Sequence, residues 1–223
     1  MTRTTPYSAV NLQEEAGVDP GKWNTLPSPQ EIDVAVRAVG ERGIRVRRAA
    51  TGGEALAVLK TLIPPKARVM TGSSTTLIEI GFTEYLETGN SGWESLHAGI
   101  TAEDDDTRRA ELRRMSVAAD YFVSGVNAIA RTGEIVGCDA SGSRVGAWPF
   151  AAGHLILVSG INKIVPDLGS ALLRIQEYAF RLEDARARRV YGIPSTIGKI
   201  VILARERNEG RVTLVLADEA LGY

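Results

Sequence analysis

With 223 residues, 44% of them hydrophobic, the chain has enough apolar side chains for one sizeable core, and one main domain is the simplest expectation. Its formal net charge of -1 speaks against nucleic-acid binding, since Arg108, Arg109, Arg113 and Arg114 lie beside Glu111 and Asp106 in what reads as a solvated helix face. Cys138 is the only cysteine, and His97 and His154 are the only histidines, so an intrachain disulfide, an all-cysteine metal site and an ordinary zinc site are not expected, and no metal or cofactor is assigned.

In chain order, residues 1–28 are polar and turn-rich, with Pro20-Gly21 and Leu26-Pro27-Ser28 as punctuation. They read as an N-terminal extension draped over a single domain that spans 29–223. Met1 to Asn11 lacks a basic region followed by an apolar stretch, and no apolar run approaches the roughly 20 residues of a membrane span. A cytoplasmic protein without a membrane partner is therefore expected. Ser28 predicts an N-cap for a helix carrying Ile32, Val34, Ala35, Val36 and Val39 on one side. A strand opening at Gly43-Ile44-Arg45-Val46 follows, then a helix over 54–62 that Pro64-Pro65 stops.

The next unit predicts a strand at Arg68 to Thr71, a turn at 72–76 and a helix at 77–86, followed by a polar excursion over 87–106 and a charged helix over about 107–119. Strands are expected at 121–125 and 134–138, joined by a turn at Arg131-Thr132-Gly133, and a short helix within 141–152. His154 to Val158 is the strongest buried-strand candidate. Asp167 caps a long helix whose apolar face includes Leu168, Leu172, Ile175, Tyr178 and Leu182. Strands at 199–204 and 212–217, separated by Asn208-Glu209-Gly210, read as an antiparallel closing pair. Alternating strands and helices predict an α/β fold with a largely parallel central sheet covered on both faces.

In such a sheet, ligands bind beyond the carboxyl ends of the strands, and three segments fall there. The first is Gly72-Ser73-Ser74-Thr75-Thr76, where hydroxyls and free helix N–H groups suit a phosphate or carboxylate; equally, Thr76 and Glu79 fit a capping box. The second places Gly125 and Asn127 at a strand end and delivers Asp139, Ser141, Gly142 and Arg144 to a glycine-rich turn. There Arg144 could neutralise an anion, or Asp139 and Ser141 could simply cap while Arg144 pairs with a surface carboxylate. The third is Ser159-Gly160-Ile161-Asn162-Lys163. A lysine directly after a buried strand can hold an anion or, desolvated, act as base or nucleophile, with Asn162 as a polar neighbour. Cys138 reads as a small buried hydrophobe rather than a nucleophile.

Taken together, Gly72-Ser73-Ser74-Thr75-Thr76-Leu77-Ile78-Glu79-Ile80-Gly81, Ser124-Gly125-Val126-Asn127-Ala128-Ile129 with Thr132-Gly133, and Val158-Ser159-Gly160-Ile161-Asn162-Lys163-Ile164-Val165-Pro166-Asp167-Leu168 resemble the LUD (lactate-utilisation) domain family, in its short single-domain form. The resemblance covers about residues 31–185. It implies a three-layer α/β/α fold similar to ribose-5-phosphate isomerase, sugar-phosphate deaminases and coenzyme A transferases. It also implies substrate-facing roles for Ser73 to Thr76, Gly125, Asn127 and Lys163. Those isomerases carry carboxylates after the strand-end glycine, whereas this chain has Val126 and Asn127, and an amide cannot abstract a proton.

Family members take part in oxidising lactate to pyruvate beside iron–sulfur proteins. With one cysteine, this chain would need such a partner to hold a cluster. The first functional expectation is accordingly a non-redox accessory or regulatory subunit of lactate or related carboxylate use, binding a small anionic metabolite. An alternative is a free-standing enzyme acting on a phosphorylated or acyl-thioester metabolite through Lys163 with Glu79 or Asp139. A purely structural protein that assembles into oligomers is a third.

Overall fold

The computed structural model describes residues 8–223. The part of the expected extension over residues 1–7 lies outside them. The rest of that segment folds into two helices, α1 (Ala9–Ala16) and α2 (Pro20–Trp23). Leu12 and Trp23 are buried with Tyr178, Leu182 and Ala185. Two anchors 11 positions apart in so polar a stretch leave no periodic signal, which is why no helix is read there.

Helix α3 (Pro29–Glu41) starts at a true capping box. Ser28 Oγ accepts the Glu31 N–H, while Glu31 accepts the Ser28 N–H at 2.9 Å. Strand β1 (Arg45–Ala49), helix α4 (Gly52–Leu62), capped by Thr51, and strand β2 (Arg68–Thr71) follow. The single helix expected over 77–86 is two: α5 (Thr75–Glu79) and α6 (Phe82–Glu87), parted by Gly81 at φ +80°, a left-handed conformation that ends a helix. The polar excursion holds β3 (Glu94–Ser95) and α7 (Leu96–Thr101), and the charged helix is α8 (Asp106–Met115).

Beyond α8 come β4 (Tyr121–Gly125), β5 (Ala128–Ala130), β6 (Ile135–Asp139), β7 (His154–Gly160) and β8 (Ile164–Val165). The segment 141–152 holds only a 3₁₀ turn at Val145–Ala147. Helix α9 (Leu168–Arg174) begins at Asp167, whose carboxylate accepts the Ser170 N–H at 2.7 Å. It runs through a π-helical turn (Ile175–Ala179) into α10 (Phe180–Tyr191). Strands β9 (Lys199–Leu203) and β10 (Val212–Ala217) close the chain.

The central sheet has six strands in the order β1-β10-β7-β4-β2-β3, every neighbouring pair parallel. β7 lies inside it and is buried from Leu155 to Gly160. One face (Val69, Val123, Ile156, Val158, Val215) packs on α4, α5 and α6. The other (Phe122, Leu155, Leu157, Leu214, Leu216) packs on α3 and on a second sheet, β8-β5-β6-β9. Helices α9 and α10 cover the far side of that second sheet through Ala171, Ile175, Tyr178 and Leu182. The protein is thus an α/β fold with a parallel sheet flanked by helices, consistent with three α/β/α layers.

The expected closing pair does not exist. β10 inserts between β1 and β7, parallel to both, while β9 lies antiparallel to β6 in the other sheet. The short connection therefore crosses between sheets. Burial explains the split: β10 is buried at all six positions, whereas Ile200 and Ile202 are 39% exposed on an edge strand. No helix among the described residues is long and apolar enough to cross a membrane.

Candidate functional site

A cavity of about 430 Å³ opens at the carboxyl ends of β2 and β4, closed on the other side by the loop after β6 and by one face of the helix from Ile175 to Tyr191. Gly72, Ser73, Ser74, Thr75, Gly125, Asn127, Asp139, Ser141, Arg144 and Lys163 line it. Segments from three distant parts of the chain thus share one hollow, because β2, β4 and β7 are adjacent in the sheet and point the same way.

Its floor is the crossing from β4 to β5, where the chain leaves one sheet for the other. Three successive carbonyls of that crossing each accept a hydrogen bond from a lysine or arginine side chain. Arg144 Nη1 donates to Gly125 O at 2.6 Å, Lys163 Nζ to Val126 O at 2.9 Å, and Arg174 Nη1 to Asn127 O. Lys163 is only 1% exposed, and its second contact is Thr76 Oγ1 at 2.8 Å. Burial drives its pKa well below that of an ordinary lysine, and the charges of Arg174 and Arg144 push the same way against Glu79.

The side chain of Arg144 is held over Gly72. A Cβ at position 72 would meet the Arg144 Cβ, Cγ and Cδ at 2.8–2.9 Å, so only glycine lets the arginine stem lie there. Beyond Gly125 O, the guanidinium donates to Ser124 Oγ at 3.3 Å, Asn127 Oδ1 at 3.2 Å and Cys138 O. All four acceptors are uncharged. Among the described residues no carboxylate forms an ion pair with Arg144, Arg174 or Lys163. Asp139 attracts Arg144 through space, yet its oxygens accept backbone N–H groups: Ser141 at 3.0 Å, Arg144 at 2.7 Å and Val145 at 3.3 Å. Burial raises the Asp139 pKa, but these bonds and the Arg144 charge outweigh it and hold the group below the ordinary range. Asp139 is thus a loop-shaping anion, while Arg144, read as a partner for a surface carboxylate, has none.

The hydroxyl run divides its labour. Ser74, not Thr76, caps α5 by accepting the Leu77 N–H at 3.4 Å, and the Thr76–Glu79 capping box does not form. With five residues, α5 is too short to carry a helix-terminus field of any size. Thr76 is fully buried, and like Glu79, Gly142 and Asn162 it does not line the cavity. Glu79 accepts the Gly222 N–H at 2.6 Å; burial raises its pKa, while that bond and Lys163 oppose the shift. Asn162 donates to Asn24 Oδ1 at 2.7 Å and to Gly222 O, and accepts the Leu221 N–H at 3.0 Å. It ties Asn24 and the C-terminal residues Leu221 and Gly222 to the end of β7. Asn127 Oδ1 is spent on the Cys138 N–H and Arg144, but its Nδ2 donates to nothing among the described residues.

Three contributors escape sequence reading. Arg174 is fully buried: Nε donates to Trp23 O at 3.0 Å, Nη2 has no partner, and burial lowers its pKa to about 10. Its spacing from Ala171 and Tyr178 on the apolar helix face was the available signal. The π turn beside it, a feature frequent at functional sites, aims Ile175 and Ala179 into the cavity. On the outer wall Arg186 clasps Glu183 through two bonds of 2.7 Å, and Tyr223 Oη donates to the same carboxylate at 2.9 Å. Cys138 also lines the cavity, but burial pushes its thiol pKa up, away from reactivity.

A family model described as the LUD domain matches residues 32–217. No curated protein matches the chain in sequence. Among solved structures, the crystal structure of a DUF162 family protein from Deinococcus radiodurans at 1.70 Å resolution is similar over 86% of this chain and 99% of that one, with 14% identity and a TM-score of 0.48. The family match extends from the first core residue of α3 to the end of β10 and takes in every strand that builds the cavity floor, so the chain belongs to the LUD domain family.

Proposed function

We propose that this LUD-domain protein binds a small anionic metabolite in the cavity at the sheet's carboxyl edge, and that it serves lactate or related carboxylate metabolism as a non-redox accessory subunit. The observation that carries this reading is the Arg144 guanidinium, facing the cavity on uncharged oxygens alone. A partly buried cation that no carboxylate contacts directly is incompletely compensated, and a bound anion completes that compensation. Asn127 Nδ2, Ser74 and Lys163 line the same hollow and can complete its hydrogen bonding.

The ligand is recognised as an anion that also offers acceptors, a description that fits a hydroxy or oxo acid and a phosphate monoester. A melting series of wild type and Arg144→Met with lactate, pyruvate, a sugar phosphate and a coenzyme A ester tests it. A ligand at 100 times its Kd stabilises wild type by about 2.7 kcal/mol and leaves Arg144→Met unshifted. If none of these anions moves wild type, the reading fails. The accessory role further requires an iron–sulfur protein as partner. Co-purification of such a protein with the intact chain supports that role, and full activity of the partner without this chain refutes it.

A further inference from the structure

The geometry of the cavity floor points to a further activity: we propose that Lys163 is a nucleophilic amine that condenses with the carbonyl group of a small anionic oxo compound to give an imine. The proposal rests on the reading of the cavity as an anion site and names the class of molecule it takes.

Two acceptors stand within hydrogen-bond range of Lys163 Nζ, Thr76 Oγ1 and Val126 O, and among the described residues no third one does. An ammonium group has three N–H bonds to satisfy, a neutral amine two N–H bonds and a lone pair. In a site only 1% exposed the count favours the amine, since an unmatched buried donor on a charged group is expensive. No donor among the described residues engages the lone pair. Thr76 Oγ1 lies near Leu221 O at 3.5 Å, which orients its hydroxyl hydrogen away and its lone pair toward Lys163. Burial and the two neighbouring guanidinium groups favour the same protonation state. The two N–H bonds are pinned to the scaffold, so the reactive orbital has a fixed direction.

The same floor fixes what the carbonyl compound must carry. Lys163 and Arg144 rest on consecutive carbonyls, Val126 O and Gly125 O. Both residues line the one cavity, so the matching ligand carries an anionic group for Arg144 and a carbonyl carbon near it for Lys163, as in a 2-oxo acid or a phosphorylated ketone. The Nζ lone pair attacks that carbon, the C=O pair moves to oxygen, and the proton that the nitrogen then sheds passes to that oxygen, giving a neutral carbinolamine. The C–O bond of the carbinolamine then breaks, oxygen leaves as water with a second proton, and the nitrogen pair forms C=N. The sum is amine plus carbonyl plus one proton giving protonated imine plus one water. The imine keeps one N–H, which can stay on Val126 O or Thr76 Oγ1.

The test is reductive trapping on the intact chain at neutral pH, with peptide mapping, so that no variant has to fold. Separate samples receive pyruvate, dihydroxyacetone phosphate or formaldehyde together with cyanoborohydride, which delivers hydride to the imine carbon and leaves a stable secondary amine. Lys163, held as an amine by two acceptors with its lone pair free, should be modified ahead of Lys22, Lys60, Lys66 and Lys199. The pyruvate and dihydroxyacetone phosphate arms show whether the preferred anion is a carboxylate or a phosphate, and an adduct on Lys163 from either supports the proposal. If Lys163 is the last lysine to take up formaldehyde, it is not a free amine and the proposal falls. If formaldehyde modifies it but neither oxo anion does, the assigned substrate class is wrong. Pyruvate that stabilises the fold through Arg144 yet leaves Lys163 unmodified would overturn the imine alone and leave the anion site standing.

Discussion

Replacing Arg144 by methionine separates the charge of this side chain from its packing. Methionine keeps the unbranched stem that lies over Gly72, where the arginine carbons come within 2.8–2.9 Å of a Cβ position, and removes only the guanidinium. Four charged hydrogen bonds summed at about 1.5–3 kcal/mol each would suggest a loss of about 6–12 kcal/mol. The structure argues for far less. Gly125 O still accepts Ser124 Oγ at 2.9 Å, Asn127 Oδ1 still accepts the Cys138 N–H at 2.8 Å, and Ser124 Oγ still accepts Trp148 Nε1 at 3.1 Å. A cost nearer one such bond, about 2 kcal/mol, is expected, since removing a partly buried charge with no direct carboxylate contact returns part of the loss. Urea unfolding should show it as a lower midpoint at unchanged m-value, and melting as a drop of about 4–8 °C for a chain of this size. The variant should also lose all stabilisation by pyruvate or phosphate. A loss above 5 kcal/mol would make Arg144 a keystone of the fold rather than a ligand group. Retained anion stabilisation would refute the reasoning outright.

Gly72→Ala keeps the arginine but drives its stem off the glycine, so anion stabilisation should weaken while overpacking costs about 1–3 kcal/mol; calorimetry with pyruvate checks it. Gly125→Ala would bring a Cβ to 2.3 Å from Ser74 Oγ; rotation of that serine forfeits the α5 cap, at about 1 kcal/mol, measurable by chemical denaturation. Glu79 has a folded pKa above its unfolded value, so the folded state binds more protons in the window between the two, and wild-type stability falls as pH rises through that window. Glu79→Gln, which can still accept the Gly222 N–H, should lack that fall in a pH series of melts. Asp139 has the opposite shift: its contribution is present above the unfolded pKa and is lost as pH falls through the folded one, and Asp139→Asn should flatten that acid limb.

Much of this architecture is legible because local chemistry and tertiary packing agree. Ser28 with Glu31 and Asp167 with Ser170 are caps whose partners lie three residues away, and β7 reads as buried because its residues are apolar on both faces of a central strand. The failures occur where partners are distant. The short connection between β9 and β10 resembles a hairpin, yet their partners, β6 for one and β1 and β7 for the other, lie far back in the chain. Strand β5 has three residues, too few for an alternation to show, although it carries the chain into the second sheet. Asn162 looks like a ligand group because it is polar and follows a strand, but its partners are Asn24, Leu221 and Gly222. Lys163 is singled out by the same logic and does line the cavity. Arg174 is hidden by a helix otherwise charged on its outer side, its meaning visible only once Trp23 and Asn127 are in place.

Crystals soaked in selenate, a small anion whose selenium scatters anomalously, locate the binding site without assumptions about the natural ligand. The expected result is a peak inside the cavity, within hydrogen-bond range of Arg144 and Asn127 Nδ2 and beside Lys163. Peaks confined to exposed arginines such as Arg108 and Arg188, with none at Arg144 in crystals saturated with the ion, would contradict it.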